Sequence, residues 1–309
     1  MRADGMTNLV RVYLKLIRLP NVFTALADIG AGFLIAHTSA SGAVPWARLP
    51  ALLGASAGLY LAGMAFNDLA DREEDARFRP ERPIPSGAVS LRGAMLCGAG
   101  LMLFAFVCAA LSGRDSLLHA ALIAVAVLLY NFGAKHIAVA GPVVLGVCRY
   151  LNVQLGMSGA DGFAAHWSDP VFWRDLHAPA LAVGVYAAGL TAFGAQEETG
   201  KRNFALALGW IFVGGALLLA GLTAPHVWIW LTLGPLALLL AWRSVKLART
   251  GTPLAARHLV VNGVMGICAL DAGLVLGQRG SEAWPWALGL LALLIPGRII
   301  FKWLAQREA

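Results

Sequence analysis

Long apolar runs separated by short polar connections fill most of this chain. Each run is close to the roughly 20 residues that a helix needs to cross a bilayer, and the runs are continuous rather than alternating, which favours helices over strands. The pattern predicts all-α spans near residues 20–38, 48–68, 91–112, 116–132, 138–159, 178–197, 204–222, 226–243, 254–277 and 283–303. Since the segment at 116–132 is short and the one at 226–243 contains Pro235, the prediction is a bundle of nine to ten spans.

Composition supports a membrane protein. Of the 309 residues, 59% are hydrophobic and only 13% are charged, and the mean hydropathy is +0.69. A soluble domain carries nearer a quarter of charged residues, so a conventional soluble enzyme and a disordered chain are both excluded. We expect one transmembrane domain over residues 1–309.

The net charge of +7 is assigned to orientation in the membrane rather than to nucleic-acid binding. With ten spans, nineteen of the 24 Lys and Arg residues fall on one side and four on the other. Basic residues collect in cytoplasmic loops, so this split predicts cytoplasmic termini and cytoplasmic polar loops near 67–92 and 196–203. Insertion in a bacterial inner membrane is expected.

An acidic cluster follows the second span. If the helix continues, Asp68, Asp71 and Asp75 share one face, with Asn67 beside Asp71. Three carboxylates on one stripe repel one another unless a cation lies between them, and hard oxygen ligands at this spacing suit Mg²⁺ together with substrate phosphates. The alternative is a solvated acidic helix end, which accounts well only for the neighbouring Glu73 and Glu74.

A basic, proline-rich loop comes next. Pro80, Pro83 and Pro85 disfavour a helix, while Arg79 and Arg82 offer donors for phosphate. These arginines could be ordinary cytoplasmic anchors. Coupled to the aspartates, they predict a clamp for a metal-bound diphosphate.

Ionisable residues inside the spans are candidates for function because their burial in hydrocarbon is costly. Arg149 and Asn152 lie about one turn apart on the predicted fifth helix, and Arg149 needs a counter-charge from diphosphate, Glu197, Glu198 or Asp28. Asp28 could also approach Asn21 and line an acceptor pocket. Asp271 could simply make interhelical hydrogen bonds.

The motifs of the first half resemble those of the UbiA family of intramembrane prenyltransferases. Three stretches carry the resemblance, and it extends over most of the chain. They are Arg18-Leu19-Pro20-Asn21, then Asn67-Asp68-x-x-Asp71-x-x-x-Asp75 with Arg82-Pro83-Ile84-Pro85-Ser86-Gly87, and Tyr130-Asn131-Phe132-Gly133-Ala134-Lys135-His136.

The resemblance implies a helix bundle around a central cavity that opens toward lipid. It also implies Mg²⁺-dependent transfer of an isoprenyl group from an isoprenyl diphosphate to a small-molecule acceptor, aromatic or otherwise. The metal ligands would be Asn67, Asp68, Asp71 and Asp75, with Asp68, Asp71 and Lys135 as catalytic residues. The substrate-binding residues would be Asn21, Asn67, Arg79, Arg82, Tyr130, Arg149 and Asn152.

The second half departs from the family pattern. Where most members have a second aspartate-rich motif, this chain has Gln196-Glu197-Glu198. Glu197 or Glu198 would supply a ligand to a second Mg²⁺, or else form a solvated helix end. This variant motif and the series Gly141, Pro142, Gly146, Arg149, Asn152 resemble the branch encoded in bacterial Ebo-type clusters.

Two other functions fit parts of the sequence. A transporter would also use ten spans with buried charges, although it predicts broken helices at the midplane rather than polar clusters at one rim. A weakly catalytic or non-catalytic family member that binds a prenyl lipid or exports a metabolite would fit the missing second aspartate pair.

Overall fold

The computed structural model describes residues 2–37, 44–137, 139–160, 173–194 and 202–305, and within these ranges the regular secondary structure is helical throughout. An amphipathic helix precedes the first apolar run. The helices of the first half are α1 (Arg2–Leu16), α2 (Val22–Ala36), α3 (Leu49–Ala70), α4 (Arg72–Phe78), α5 (Leu91–Ser112), α6 (Arg114–Phe132) and α7 (Ala140–Met157).

The second half begins with a π-helical turn at Trp173–His177 and continues as long helices joined by short turns. They are α8 (Ala178–Gly194), α9 (Arg202–Thr223), α10 (Trp230–Thr250), α11 (Pro253–Arg279), α12 (Trp284–Ala292) and α13 (Leu294–Ala305). Together with the first half they form the predicted all-α bundle.

Nine helical segments of the described chain are long and apolar enough to cross a membrane. Nine of the ten predicted spans correspond to them. The tenth, the predicted span at 138–159, forms α7. This helix carries Arg149, Asn152 and Gln154, and their polarity accounts for its lower hydropathy.

The α7 helix nevertheless crosses the same depth as α3. At its start, Gly141 lies against the backbone of Lys135, whose ammonium group pairs with Asp71 just beyond the end of α3. Just beyond its other end, Gly159 lies against Leu52 in the first turn of α3. The helix therefore extends alongside α3 from one end to the other, although the described residues contain nine helices, without α7, that are long and apolar enough for a membrane span.

Glycines allow α7 to pack closely between α2 and α8. A Cβ on Gly146 would lie 2.7 Å from the carbonyl oxygen of Gly184, and one on Gly184 would lie 2.8 Å from the carbonyl oxygen of Gly146. On the α2 side, Gly32 meets the Val153 carbonyl and Gly156 meets the Ile29 backbone. Close approach of this kind is typical of membrane helices and brings side chains of α2 and α7 into contact.

Large apolar side chains cover the outside of the bundle. Leu111, for example, keeps 76% of its surface exposed, which an aqueous solvent would disfavour but a lipid environment accepts. Others of the same kind are Leu96, Leu103, Leu222, Trp230, Leu238 and Ile299. The surface is therefore suited to hydrocarbon.

The helices differ from the predicted spans most clearly in three places. The hydropathy pattern did not indicate α1. It also ended the eighth span at residue 243, whereas α10 continues to Thr250. The last predicted span is two helices that break at Leu293, shortly before Pro296. A hydropathy window detects only the length of an apolar run. Helices also continue through charged residues that favour helix, such as Arg and Lys, and they break near proline.

Candidate active site at the ends of α3 and α4

The acidic cluster lies where α3 passes into α4. The sequence placed the three aspartates on one face on the condition that the helix continues, and Asp71 interrupts that helix with backbone angles of φ −86° and ψ 2°. Hydrogen bonds still link Asp71 N to Asn67 O at 2.9 Å and Asp75 N to Asp71 O at 2.8 Å. Because this spacing continues through the break, Asp68 and Asp75 remain close enough to contact one arginine.

Asp68 is almost buried, at 4% exposure, and is held by arginines from two other segments. Its Oδ1 accepts a hydrogen bond from Arg18 Nη2 at 2.8 Å and lies 3.5 Å from Arg82 Nη1. The Arg18 guanidinium also donates to Asn67 Oδ1 at 3.3 Å. Two neighbouring oxygen ligands predicted for a metal thus converge on one guanidinium.

Asp75 is buried on the short helix α4, and both arginines predicted to form a phosphate clamp turn back onto it. Arg82 Nη1 donates to its Oδ2 at 2.6 Å, and Arg79 Nη1 lies 3.6 Å from Oδ1. The Arg82 side chain is 23% exposed and that of Arg79 is 50% exposed. Both cations therefore remain accessible while they neutralise a buried carboxylate.

Asp71 forms an ion pair with Lys135, which follows α6 in a turn of 3₁₀ helix at Ala134–His136. Asn67 is joined to the same region because its Nδ2 donates to Asn131 Oδ1 at 3.1 Å, while Asn131 Nδ2 donates to the Gly63 carbonyl at 3.2 Å. The end of α6 is thereby fixed beside α3. Tyr130, the neighbour of Asn131, is half-buried.

The proline-rich loop folds back over this cluster. Ser86 N donates to Arg82 O at 3.0 Å and Val89 N donates to Pro83 O at 2.9 Å. Gly87 occupies the left-handed region at φ +75°, where glycine is favoured. Val89 is buried in the same apolar cluster as Leu16 at the end of α1. The loop thus orients Arg82 toward the carboxylates.

Sequence reasoning quoted Arg18 only as part of a family-like stretch and did not place it in the site. Its backbone is left-handed, at φ +47°, in the connection between α1 and α2. Such a conformation is disfavoured for arginine. The stretch Arg18-Leu19-Pro20-Asn21 was the sequence feature that could have indicated this turn, because Pro20 has a fixed φ and restricts the backbone there. Asn21 immediately precedes α2, and its carbonyl accepts from Thr24 Oγ1 at 3.0 Å.

Arg149 and Asn152 belong to a second polar cluster, inside the bundle. Arg149 Nη1 donates to Asp28 Oδ2 and Nη2 donates to Thr24 Oγ1, both at 2.9 Å. The guanidinium carbon of Arg149 lies 5.6 Å from the centroid of the Tyr60 ring. Of the counter-charges left open by the sequence, Asp28 is the one paired with Arg149 in the described structure.

Asn152 completes this interior cluster. Its Nδ2 donates to Asp28 Oδ2 and to the Ala25 carbonyl, both at 2.9 Å, while its Oδ1 accepts from Ser56 Oγ at 2.8 Å. Arg149 and Asn152 therefore share a helix face, as their spacing indicated. Asp28 pairs with these two residues rather than with Asn21.

The rim residues fit a magnesium ion in part. Carboxylate and amide oxygens are suitable ligands, and Asp75 Oδ1 is buried without a hydrogen-bond partner among the described residues. Asp68 and Asp75 both lie near one atom, Arg82 Nη1. However, no three acidic, histidine or cysteine side chains of the described chain are grouped closely enough to hold a metal. This set therefore suits an ion shared between one or two carboxylates and substrate phosphates, a common arrangement for Mg²⁺. Glu197 and Glu198 lie outside the described residues.

An all-helical bundle whose described residues include nine helices long and apolar enough to span a membrane places the chain in the class of polytopic membrane proteins, here with an acidic and basic cluster at one end. Within this class, residues 29–264 match the model of the UbiA prenyltransferase family. The match covers more than half of the chain, and the protein belongs to that family.

Curated relatives are digeranylgeranylglyceryl phosphate synthases from archaea. The chain is 38% identical to the one from Metallosphaera sedula over 149 residues, which is 47% of this chain and 50% of the relative. It is 34% identical to that of Methanopyrus kandleri over 156 residues, or 49% and 55% of the two chains. The chain thus spans about half the length of the curated relatives it matches.

Solved structures show the same fold. A digeranylgeranylglyceryl phosphate synthase superposes with a TM-score of 0.61 at 17% identity, covering 87% of this chain and 98% of the other. A UbiA homologue from Archaeoglobus fulgidus bound to GPP and Mg²⁺ gives a TM-score of 0.59 at 16% identity, covering 85% and 99%.

These comparisons confirm the family but correct its finer assignment. The relatives named above are archaeal synthases, which do not support the predicted Ebo-type branch. They give no support to a bacterial inner membrane either. The Gly141, Pro142, Gly146, Arg149, Asn152 series and the glutamates at 197 and 198 were too short a signal to identify a branch.

Proposed function

We propose that this protein transfers an isoprenyl group from an isoprenyl diphosphate to a small-molecule acceptor within the membrane, with Mg²⁺ as cofactor. One observation carries the proposal: the carboxylates of Asp68, Asp71 and Asp75 are clustered with four basic side chains at one end of an apolar bundle. The basic residues are Arg18, Arg79, Arg82 and Lys135. This end of the bundle can hold an anion and a cation together. It lies next to the apolar helices and the lipid, which are suited to a prenyl chain.

Diphosphate binding requires the basic side chains to change partners. An incoming diphosphate offers several anionic oxygens to Arg18, Arg82 and Lys135, and guanidinium groups bind such oxygens in a bidentate manner. As these cations turn to the diphosphate, oxygens of Asp68 and Asp75 become available to a metal ion. The movement of the basic side chains to the diphosphate and the binding of the metal to the carboxylates are coupled. Together they keep the charges of the nearly buried aspartates balanced.

The chemical step is the breaking of the allylic carbon–oxygen bond. The electron pair leaves with the diphosphate, a new bond forms between the allylic carbon and the acceptor, and the acceptor loses a proton. Bound Mg²⁺, with Asn67, Asp68 and Asp75 as the ligands we propose, would neutralise charge on the departing diphosphate. Arg18, Arg82 and Lys135 would stabilise the same charge through hydrogen bonds.

The apolar bundle protects the reacting carbon. A developing allylic cation reacts readily with water, so the prenyl chain must lie in a dry environment while the bond breaks. The lipid-facing helices supply that environment. We retain Asp71, Tyr130 and Asn21 as proposed site residues, and Glu197 and Glu198 as proposed ligands of a second Mg²⁺.

The acceptor is a small molecule, and the names of the relatives suggest which to try first. The two relatives described above are named digeranylgeranylglyceryl phosphate synthases, and about half of the length of each matches this chain. We therefore propose a prenylated glyceryl phosphate as the first acceptor to test and an aromatic acceptor as the second. By the positive-inside rule, we also propose that both termini and the rim site are cytoplasmic.

The test uses the full chain in lipid nanodiscs with Mg²⁺ and radiolabelled prenyl diphosphates of several lengths. We expect a labelled product with one of the two acceptor classes and one diphosphate released per product. Product formation should stop when EDTA removes the metal. Binding of prenyl diphosphate without diphosphate release, across every chain length and both acceptors, would instead support a non-catalytic lipid-binding protein.

A further inference from the structure

Two carboxyl groups approach one guanidinium in the interior of the bundle. Asp28 on α2 and Asp271 on α11 are both 0% exposed. Asp28 Oδ2 lies 2.9 Å from Arg149 Nη1 on α7, whereas Asp271 interacts with the Asp28 carboxyl group and, through its charge alone, with Arg149. The Arg149 side chain retains 12% exposure. Arg149 is therefore the member of this trio through which the two acids can act on a ligand.

The hydrogen bonds of the trio are incomplete. Asp28 Oδ2 accepts from both Arg149 and Asn152. In contrast, Asp28 Oδ1 and both oxygens of Asp271 have no hydrogen-bond partner among the residues that the structure describes. Buried oxygens without donors are uncommon because each loses its bonds to water without replacement.

The charges are also unbalanced if both acids are ionised. Arg149 supplies one positive charge against two negative charges. Among the described residues, the other titratable groups that interact with the trio are Tyr60 on α3, Cys148 on α7 and Cys268 on α11, which are neutral when protonated and supply no cation. An uncompensated charge in this interior would be strongly unfavourable.

A single shared proton balances the charge and pairs two of the three oxygens that lack a partner among the described residues. A protonated carboxyl group of Asp271 donates a hydrogen bond to Asp28 Oδ1, and the trio becomes neutral. Two carboxyl groups in contact commonly share one proton because like charges at short distance disfavour double ionisation.

We propose that Asp28 and Asp271 share one proton and act as positioning residues that hold Arg149 as a polar site for an uncharged hydroxyl group of the acceptor. The assignment of an acceptor rests on the proposed function. The shared proton does not, because it follows from burial, hydrogen bonding and charge alone.

The site suits a hydroxyl group better than an anion. Asp28 already balances the charge of Arg149, so a second anion would gain little, whereas guanidinium N–H groups beyond the two bonded to Asp28 and Thr24 can donate to a neutral oxygen. Tyr60, which lies over Arg149, is eight residues from Asp68 on α3, or about 12 Å along the helix. Anionic and neutral groups of the substrates thus have separate binding places.

The first test is infrared spectroscopy of the wild-type protein in nanodiscs at neutral pH. A protonated carboxyl group has a carbonyl stretch that a carboxylate lacks, and the band moves to lower frequency in D₂O if the proton exchanges. We expect one such band, and we expect it to disappear in both Asp28→Asn and Asp271→Asn. A wild-type spectrum without the band would overturn the proposal, whether or not the variants fold.

The second test is a double-mutant cycle measured by thermal unfolding. In either single variant the remaining carboxylate can still balance Arg149, so we expect a Tm within about 3 °C of wild type. The double variant leaves Arg149 without an anion, and we expect its Tm to fall by roughly 10 °C. Glu282→Gln, which removes an exposed carboxylate, is the control. A clear rise in Tm for Asp271→Asn would mean that both acids are ionised, and additive effects would mean that the pair does not share a proton.

The third test applies once turnover has been measured. In the double variant, we expect the KM for the acceptor to rise about tenfold and the KM for the prenyl diphosphate to change less than twofold. A rise in the KM for prenyl diphosphate alone would contradict the assignment of the acceptor. If no turnover is found with any substrate, the infrared and unfolding measurements still decide whether the acid pair exists.

Discussion

The cluster at the rim, around Asp68, Asp71 and Asp75, has more basic than acidic side chains. The cluster in the interior, around Arg149, has more acidic than basic side chains. At the rim, three aspartates meet four basic side chains, several of which remain accessible, including Arg79 at 50% exposure and Arg18 at 34%. In the interior, two fully buried aspartates meet one arginine. An accessible excess of cations can exchange partners with an incoming anion. A buried excess of acid cannot exchange, and is suited to holding a fixed geometry.

The largest effect should follow from removal of a rim carboxylate. In Asp68→Asn the oxygen that accepts from Arg18 remains but its charge is lost, so we expect turnover to fall at least ~100-fold because the metal and diphosphate lose a shared contact. Asp71→Ala should also abolish Mg²⁺-dependent turnover. Both proteins should remain monodisperse in detergent.

Glu73→Gln is the matched control for these variants, since Glu73 is on the adjacent helix and its side chain is 79% exposed. It should keep nearly full activity. Full activity in Asp68→Asn would show that the rim cluster is not the site of chemistry and would remove the main difference between the two regions.

The next effect tests the exchange of basic partners. Arg82→Gln removes the guanidinium that lies near both Asp68 and Asp75, and we expect the affinity for inorganic pyrophosphate in the presence of Mg²⁺ to fall about tenfold. Arg149→Gln, in the interior, should change this affinity less than twofold. Isothermal titration calorimetry measures both. Equal losses in the two variants would mean that both clusters bind the anion.

A smaller effect should come from the backbone contact that supports the interior. In Gly184→Ala, the new Cβ would lie 2.8 Å from the Gly146 carbonyl, three residues from Arg149. The helices α7 and α8 must separate slightly, at a cost of about 1–3 kcal/mol, and we expect Tm to fall by several degrees. Gly214→Ala is the control because a Cβ there meets no atom within 4 Å. An unchanged Tm in Gly184→Ala would show that the interior does not depend on this close approach.

The smallest effect should be that of Arg79→Gln. Its ion pair with Asp75 is long, at 3.6 Å, and half exposed, and exposed pairs contribute little. We expect less than a threefold change in pyrophosphate affinity and no resolvable change in Tm. A loss as large as that of Arg82→Gln would indicate that Arg79 moves onto the anion.

Local spacing made the rim aspartates predictable, whereas their partners depend on tertiary contacts. The intervals among Asp68, Asp71 and Asp75 indicate one helix face without further information. Arg18 contacts Asp68 from 50 positions away and adopts a backbone conformation that arginine rarely takes. No local pattern specifies such a contact. Lys135 was expected to be a catalytic residue, and its pairing with Asp71 likewise depends on the approach of α6 to α3.

The interior shows the same division. Because Arg149 lies in a predicted span, it was expected to have an anionic partner, and the sequence offered several candidates. Glycine contacts between α2 and α7 select Asp28. The prediction of Asp271 as an interhelical residue was general, since its position opposite Asp28 depends on how α11 packs against α2. For the fold, apolar length predicted the spans, but α1 was missed because a surface helix needs no long apolar run.

The left-handed backbone of Arg18 has a consequence for comparisons among homologous sequences. Glycine is the residue that this turn would accept most easily, yet glycine could not reach Asn67 and Asp68. If the contact with Asp68 matters for activity, arginine should persist here across enzymes that retain the rim aspartates. In homologues that have lost those aspartates, selection on the side chain would be relaxed and glycine or asparagine should replace it. Substitution patterns at this one position would then separate active lineages from inactive ones.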